Sequence, residues 1–124
     1  MCGITGFCDF NRKLTRDDLH RSNETLHHRG PDSGSIALFE TDHANIGFGH
    51  RRLSIMDVSS NGNQPMSSDD ESVVIILNGE IYNFKEIREE LRAAGHSFHS
   101  DSDTEVVLKA YQQYGIGSVS KFIG

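Results

Sequence analysis

The spacing of apolar residues predicts several short strands. Apolar residues at positions 4, 7, 8 and 10 indicate a strand within residues 1–10, and residues 35–40 and 44–50 indicate two more, joined by a turn. Residues 53–56 are a candidate for a further short strand. Residues 73–77 are continuously apolar and mostly β-branched, which is typical of a strand buried on both faces.

Two helices are predicted from polar stretches with apolar residues at helical spacing. Residues 15–28 are mostly polar with a narrow apolar stripe, which predicts a surface helix. Asn83, with Glu86 three residues later, is typical of a helix start, and Gly95 suits the position just after a helix end. One face of this second helix is apolar, with Phe84, Ile87 and Leu91.

A third helix has the clearest start signal. Residues 102–105, Ser-Asp-Thr-Glu, match a capping box, and Gly115 suits the end of the helix. The apolar residues between these ends recur at helical spacing: Val106, Val107, Ala110, Tyr111 and Tyr114. Residues 59–70 are mostly polar, which predicts a loop. Strands and helices that come in clusters, without regular βαβ alternation, favour a layered α+β fold.

Composition and charge narrow the class of protein. The chain has 124 residues, enough for one domain, and 12 basic against 18 acidic residues give a net charge of −6. Nucleic acid and anionic membrane surfaces are poor partners for such a chain, since both bind basic surfaces. No apolar run approaches the roughly 18 residues that indicate a membrane span, and the first residues lack the pattern of a signal peptide. We therefore expect a cytoplasmic protein.

Two cysteines are too few for a disulfide scaffold, but one has a position that suggests chemistry. Removal of Met1 would leave Cys2 as the N-terminal residue, with its own α-amine beside the thiol. A terminal amine titrates at about 7.7–8.0 and can act as the base that activates a nucleophile. Taken alone, Cys2 is better explained as a small buried cysteine, and for Cys8 we expect packing in the core.

A series of motifs follows Cys2 in order. They are Met-Cys-Gly-Ile-Thr-Gly (residues 1–6), His-Arg-Gly-Pro-Asp (28–32), His-Arg-Arg-Leu-Ser-Ile (50–55), Leu-Asn-Gly-Glu-Ile-Tyr-Asn (77–83) and Ser-Asp-Thr-Glu-Val (102–106). In this order they resemble the glutaminase domain of the class II glutamine amidotransferases, and within that family most closely the glutamine-hydrolysing asparagine synthetases. The resemblance covers nearly the whole chain.

The resemblance implies a fold, a domain assignment and partners. The fold would be the N-terminal nucleophile hydrolase sandwich, four layers in the order αββα with antiparallel sheets, incomplete at the C-terminus of this chain. Residues 1–124 would then be part of a glutaminase domain that takes glutamine as substrate and supplies ammonia to a C-terminal synthetase domain. No cofactor is expected in the glutaminase domain, and ATP and Mg²⁺ only in the synthetase domain.

The resemblance also implies three catalytic residues. Cys2 would attack the side-chain amide of glutamine and form a thioester. The side-chain amide of Asn78 and the main-chain N–H of Gly79 would form the oxyanion hole for the tetrahedral intermediate. Considered from the residues alone, Asn78 and Gly79 are also an ordinary turn signal.

Three further residues would bind the substrate. Arg52 matches the family arginine that grips the α-carboxylate of glutamine, and Glu80 and Asp103 match the residues that hold its α-ammonium. A free amino acid carries one cation and one anion, so a selective site needs both charges in return. Arg51 falls at a variable position of the motif and is expected to be solvated, and His50 is expected to be structural.

Several alternatives stay open. The ammonia acceptor could belong to another class II amidotransferase, or the chain could be a non-catalytic glutamine-binding fragment. The remaining histidines match no common zinc pattern, so no metal is expected. The oligomeric state is left undetermined.

Overall fold

The computed structural model of the chain describes residues 2–53 and 62–124. The chain divides into two compact units. Of the described residues, the first unit holds 2–53, 63–65 and 76–78, and the second holds 62, 66–75 and 79–124. Apart from Leu53, the strand predicted at 53–56 lies outside the described residues, as does the start of the loop predicted at 59–70.

The first unit is built on a three-stranded antiparallel sheet. Its strands are β1 (Gly3–Asp9), β2 (Ser33–Glu40) and β3 (Asn45–Arg52), in the order β1-β3-β2. Gly3 pairs with Arg51 across β1 and β3, and Ser33 pairs with Arg52 across β2 and β3. The three strands predicted in this half of the chain are confirmed, with ends shifted by a few residues.

Helix α1 (Arg16–Glu24) covers one face of this sheet. It begins with a reciprocal capping box, in which the Thr15 side chain accepts from the Asp18 N–H and the Asp18 carboxylate accepts from the Thr15 N–H. Leu19 is almost fully buried and lies over Gly47 of β3. The predicted surface helix is confirmed. The box Thr-x-x-Asp was present in the sequence as a start signal and was missed.

Side-chain alternation along β3 corrects one prediction. Gly47, Gly49 and Arg51 face α1, so Arg51 is buried and donates to the Asn23 carbonyl and the Glu24 carboxylate at the end of that helix. The prediction that Arg51 is solvated is therefore wrong. Because successive strand residues point to opposite faces, the side chain of Arg52 lies on the other face of the sheet.

The expected core position of Cys8 is also wrong. Its side chain is exposed to solvent. Strand β1 lies at the edge of the sheet, and alternation places Cys8 on the face opposite α1. Cysteine is commonly buried. At this position the side chain is exposed because it lies on an edge strand and on the face of the sheet opposite α1.

Two helices form the core of the second unit. They are α2 (Phe84–Ala93) and α3 (Asp103–Tyr114), followed by a 3₁₀ helix over Gly115–Lys121. Their shared core consists of Ile87, Leu91, Val106 and Ala110. Gly95 (φ 98°) and Gly115 (φ 61°) follow the two helices with positive φ, which glycine adopts without strain, and both predicted ends are confirmed.

The rest of the second unit contains a small hairpin. Strands β4 (Met66–Ser67) and β5 (Val74–Ile75) pair antiparallel. The predicted strand at 73–77 is thus reduced to two residues, and these are only half-buried. The segment 76–78 leaves the hairpin and belongs to the first unit, which a continuous apolar run does not reveal.

The chain is therefore a mixed α/β protein with antiparallel sheets, in agreement with the predicted α+β class. The four-layer sandwich stays a prediction. Within residues 2–53 and 62–124, no helix has the length and apolar character needed to cross a bilayer.

Candidate active site

Cys2 lies directly before β1 and is half-buried. The main-chain N–H of Leu53 donates a hydrogen bond to its Sγ at 3.4 Å, and the thiol lies 3.8 Å from the Leu53 carbonyl oxygen. These contacts hold the sulfur beside the end of β3. They fix its position relative to Arg52, the residue before Leu53.

Arg52 is the last residue of β3 and is half-buried. Its Nη1 donates to Oδ1 of Asn63 at 2.9 Å. The side chains of Arg52 and Cys2 share the face of the sheet that α1 does not cover. The Arg52 guanidinium and the Cys2 thiol therefore lie at the same end of this face of the sheet.

The motif at residues 28–32 is packed against the peptide that links Arg51 to Arg52. Gly30 is buried there, and a Cβ added to it would overlap the Arg51 carbonyl group and the Arg52 nitrogen. The N–H of Asp32 donates to the Arg52 carbonyl at 3.2 Å. The motif therefore supports the main chain that carries Arg52, a role that the sequence alone did not indicate.

His50 is buried on the same face as Arg52, which supports the structural role predicted for it. Burial lowers its pKa below 6.5, the charge of Arg52 lowers it further, and a hydrogen bond to the Leu77 main chain acts in the opposite direction. His50 is therefore neutral at pH 7. Its contact with Leu77 places the segment 76–78, which ends in Asn78, against this face.

The Leu77 main chain has a second support. Its N–H donates to Oε1 of Gln64, which is itself buried. Asn78 follows directly and is exposed. The first unit thus brings Cys2, Arg52 and the main chain leading into Asn78 to one face of its sheet.

The second unit holds the other predicted site residues. Gly79 and Glu80 are exposed, and Asp103 occupies the first turn of α3. Oδ2 of Asp103 accepts a hydrogen bond from the Ile81 N–H at 2.9 Å. Asp103 is therefore held next to the main chain that follows Glu80.

The start of α3 confirms only half of the predicted capping box. The Ser102 hydroxyl accepts from the Glu105 N–H at 3.2 Å, as expected. The Glu105 carboxylate, however, accepts from the N–H groups of His99 and Ser100 at 2.9 and 2.7 Å. The prediction of a reciprocal box is wrong, because the buried carboxylate stabilises the preceding loop instead of the Ser102 N–H.

Asn83 has a different role from the predicted helix cap. Helix α2 does begin after it, but its side chain makes no capping bond. Its Nδ2 donates to the Lys121 carbonyl at 2.8 Å, and its Oδ1 accepts from the Ile123 N–H at 2.9 Å. The Tyr82 N–H also donates to the Ile123 carbonyl at 2.6 Å. The end of the motif at 77–83 is thus tied to residues 121–123.

The predicted site residues fall into two groups, one in each unit. Cys2, Arg52 and Asn78 belong to the first unit, and Gly79, which is covalently joined to Asn78, belongs to the second unit with Glu80 and Asp103. In the described parts of both units, no three His, Cys, Asp or Glu side chains group in a way that could hold a metal ion.

Comparison with known proteins adds the family. The family model described as a glutamine amidotransferase domain matches residues 1–124. Asparagine synthetase [glutamine-hydrolyzing] 1 of Bacillus subtilis is 48% identical over 130 residues, which cover 100% of this chain and 20% of that protein. Asparagine synthetase [glutamine-hydrolyzing] 3 of the same organism is 41% identical over 92% of this chain and 18% of that protein.

A third relative is less similar to this chain. The putative asparagine synthetase [glutamine-hydrolyzing] 2 of Methanocaldococcus jannaschii is 36% identical over 100% of this chain and 26% of that protein. The chain thus spans about a fifth to a quarter of the length of the curated relatives it matches. Because the family model covers all of its residues, the chain belongs to the glutamine amidotransferase domain family.

Proposed function

We propose that this chain hydrolyses the side-chain amide of glutamine to glutamate and ammonia through a thioester on Cys2. The observation that carries the proposal is the grouping on one face of the first sheet. There the Cys2 sulfur lies beside Leu53, Arg52 lies on the same face, and His50 holds the Leu77 main chain that leads into Asn78. A nucleophile, a carboxylate-binding cation and an amide donor are the groups that this chemistry requires.

In the first step, the Cys2 sulfur attacks the amide carbon of the glutamine side chain. The thiol proton passes to the α-amine of Cys2, which is free once Met1 has been removed. The carbonyl oxygen becomes an oxyanion that accepts hydrogen bonds from the Asn78 side-chain amide and the Gly79 N–H. The carbon–nitrogen bond then breaks, and the protonated α-amine gives its proton to the departing nitrogen, which leaves as ammonia.

In the second step, water attacks the thioester carbon. The α-amine of Cys2 takes the proton from the water, and the same oxyanion donors stabilise the second tetrahedral intermediate. The carbon–sulfur bond breaks, the sulfur recovers the proton, and glutamate is released. In this proposal His50 holds the Leu77 main chain and transfers no proton.

The charged groups of the substrate select the residues that bind it. The Arg52 guanidinium suits the α-carboxylate, because its planar donors can bind both carboxylate oxygens. The carboxylates of Glu80 and Asp103 suit the α-ammonium. Loss of either substrate charge would leave protein groups unpaired, which is how such a site rejects analogues.

We further propose that the ammonia serves asparagine synthesis, in a synthetase domain that uses ATP and Mg²⁺. The relatives named above are asparagine synthetases, and this chain matches only their N-terminal part. The acceptor chemistry belongs to the rest of such a protein. The described residues of this chain contribute the glutaminase half.

The test uses the protein at its full natural length. We expect it to release glutamate and ammonia from glutamine, and to be labelled on Cys2 by the electrophilic glutamine analogue diazo-oxo-norleucine, as read by peptide mass spectrometry. Cys2→Ser should abolish both the labelling and the release of glutamate. Cys8→Ser is the matched control and should retain both. Failure of the native protein to be labelled, or retention of Met1 on it, would overturn the proposal.

A further inference from the structure

Arg88 is a buried cation in α2 that the proposed reaction does not use. Its side chain is 7% exposed, although arginine is among the residues least often buried. Its guanidinium lies over the Phe98 ring at 5.0 Å and the Phe84 ring at 5.7 Å from the ring centroids. The cation therefore lies over two aromatic rings.

The guanidinium binds two consecutive residues. Nη1 donates to Oδ1 of Asp101 at 3.0 Å, and Nη2 donates to the Ser102 carbonyl oxygen at 3.0 Å. Asp101 is almost fully exposed and stays hydrated, whereas the buried Arg88 guanidinium has lost most of its contact with water. Its Nε is buried without a hydrogen-bond partner among the described residues. Burial of a cation on such terms contributes little to stability.

The residues that Arg88 holds come directly before Asp103. Ser102 caps α3 through its hydroxyl, and Asp103 follows with its Oδ2 on the Ile81 N–H. The Ser102 carbonyl belongs to the peptide group whose nitrogen is that of Asp103. Fixing this carbonyl therefore fixes the orientation of the peptide from which the Asp103 side chain extends.

We propose that Arg88 is a positioning residue, which holds the Ser102–Asp103 peptide so that the Asp103 carboxylate can receive the α-ammonium of the substrate. This inference rests on the proposed function. It predicts that Arg88 acts on selectivity for one charged group of the substrate. A residue that only stabilised the fold would affect all substrates alike.

The test compares two substrates of the full-length protein. One is glutamine, and the other is glutaramate, which is glutamine without its α-amino group. In Arg88→Met, kcat/KM for glutamine should fall about tenfold, mainly through KM, and kcat/KM for glutaramate should change less than about twofold. The preference for glutamine over glutaramate should therefore fall by nearly the same factor.

Arg92→Met provides the matched control. Arg92 lies on the same helix and over the same Phe98 ring, at 5.7 Å, but it is exposed and pairs with Glu89 at 2.7 Å. This variant should leave the preference unchanged. Arg88→Lys keeps the charge but cannot span both acceptors, so it should also lower the preference, and it decides the question if Arg88→Met does not fold.

The possible outcomes separate the two proposals. An equal loss for both substrates in the Arg88 variants, or an unchanged preference, would overturn the positioning role. If the Arg88 variants give such a result while the wild-type protein hydrolyses glutamine and prefers it to glutaramate, only this inference is contradicted. A wild-type protein that hydrolyses neither substrate contradicts the proposed function, and this inference with it.

Discussion

Asp103 and Ile81 are joined by a hydrogen bond of 2.9 Å from the Ile81 N–H to Oδ2 of the carboxylate. The bond links the first turn of α3 to the segment that carries Gly79 and Glu80. Asp103 therefore has two separable properties, a negative charge and an acceptor oxygen. Substitutions can remove one of them or both.

Asp103→Asn should separate charge from position. The amide keeps an oxygen that can accept from the Ile81 N–H but loses the charge proposed to bind the α-ammonium. We expect the KM for glutamine to rise about 10- to 100-fold, since a hydrogen bond to a charged group contributes about 1.5–3 kcal/mol. Steady-state glutamate release measures this effect. Asp103→Ala, which also removes the acceptor, should be less stable to urea, and equal stability of the two variants would contradict the role of the bond.

Asn78→Ala should affect turnover more than binding. If the Asn78 amide stabilises the oxyanion, its removal lowers kcat about 10²- to 10³-fold. Asn63→Ala is the comparison. The Asn63 side chain accepts a hydrogen bond from the Arg52 guanidinium at 2.9 Å, and our proposal gives it no contact with the reacting carbonyl group. The Asn63 variant should raise KM less than about tenfold with kcat nearly unchanged. The same kcat in wild type and Asn78→Ala would remove Asn78 from the oxyanion hole.

Gly30→Ala should destabilise the first unit. The added Cβ would overlap the peptide between Arg51 and Arg52, and overpacking of this kind costs about 1–3 kcal/mol. Urea denaturation measures the loss. Gly117→Ala is the control, because no described atom lies within 4 Å of where its Cβ would be. Equal midpoints for the two variants would show that β3 moves away from residue 30 without cost.

Acid should remove the contribution of Asp70 to stability. The hydroxyls of Ser68 and Ser72 and the N–H of Ser72 hold the pKa of Asp70 at about 2, below its ordinary 3.8. A carboxyl whose pKa is lowered by folding stabilises the folded state above the unfolded pKa, and this contribution is lost as the pH falls through the folded pKa. It is therefore complete above about pH 4 and lost towards pH 2.

Asp70→Asn provides the measurement. Its urea midpoint should lie below that of the wild type at pH 6, and the difference between the two proteins should close as the pH approaches 2. A difference that stays constant between pH 6 and pH 2 would show that the charge of Asp70 does not contribute through these hydrogen bonds.

Local signals predicted the ends of the elements better than their surroundings. Ser102, Gly95 and Gly115 act within a few residues of their own positions, and each helix boundary they predicted is confirmed. The predictions for Arg51 and Cys8 are wrong, because their exposure depends on which face of the sheet α1 covers and on which strand lies at its edge. The residues next to Arg51 and Cys8 in the sequence indicate neither the covered face nor the edge strand.

The candidate site shows the same division. The motifs identified the types of residue and their order along the chain. They did not indicate that Gly30 packs on the Arg51–Arg52 peptide or that His50 holds Leu77, because both contacts join segments distant in sequence. Asn83 matched a cap by residue type, but its hydrogen bonds go to residues about 40 positions further along the chain.

The side chain of Asn83 joins the motif at 77–83 to the peptide groups near Ile123. It satisfies one carbonyl and one N–H of that stretch, as a neighbouring strand would, and the Tyr82 N–H adds a third bond. The amide protons of Tyr82 and Ile123 should therefore exchange with deuterium through one shared opening event and show similar protection. Asn83→Ala should expose both protons together, so the loop that carries the proposed oxyanion donor and residues 121–123 would melt as a single cooperative segment.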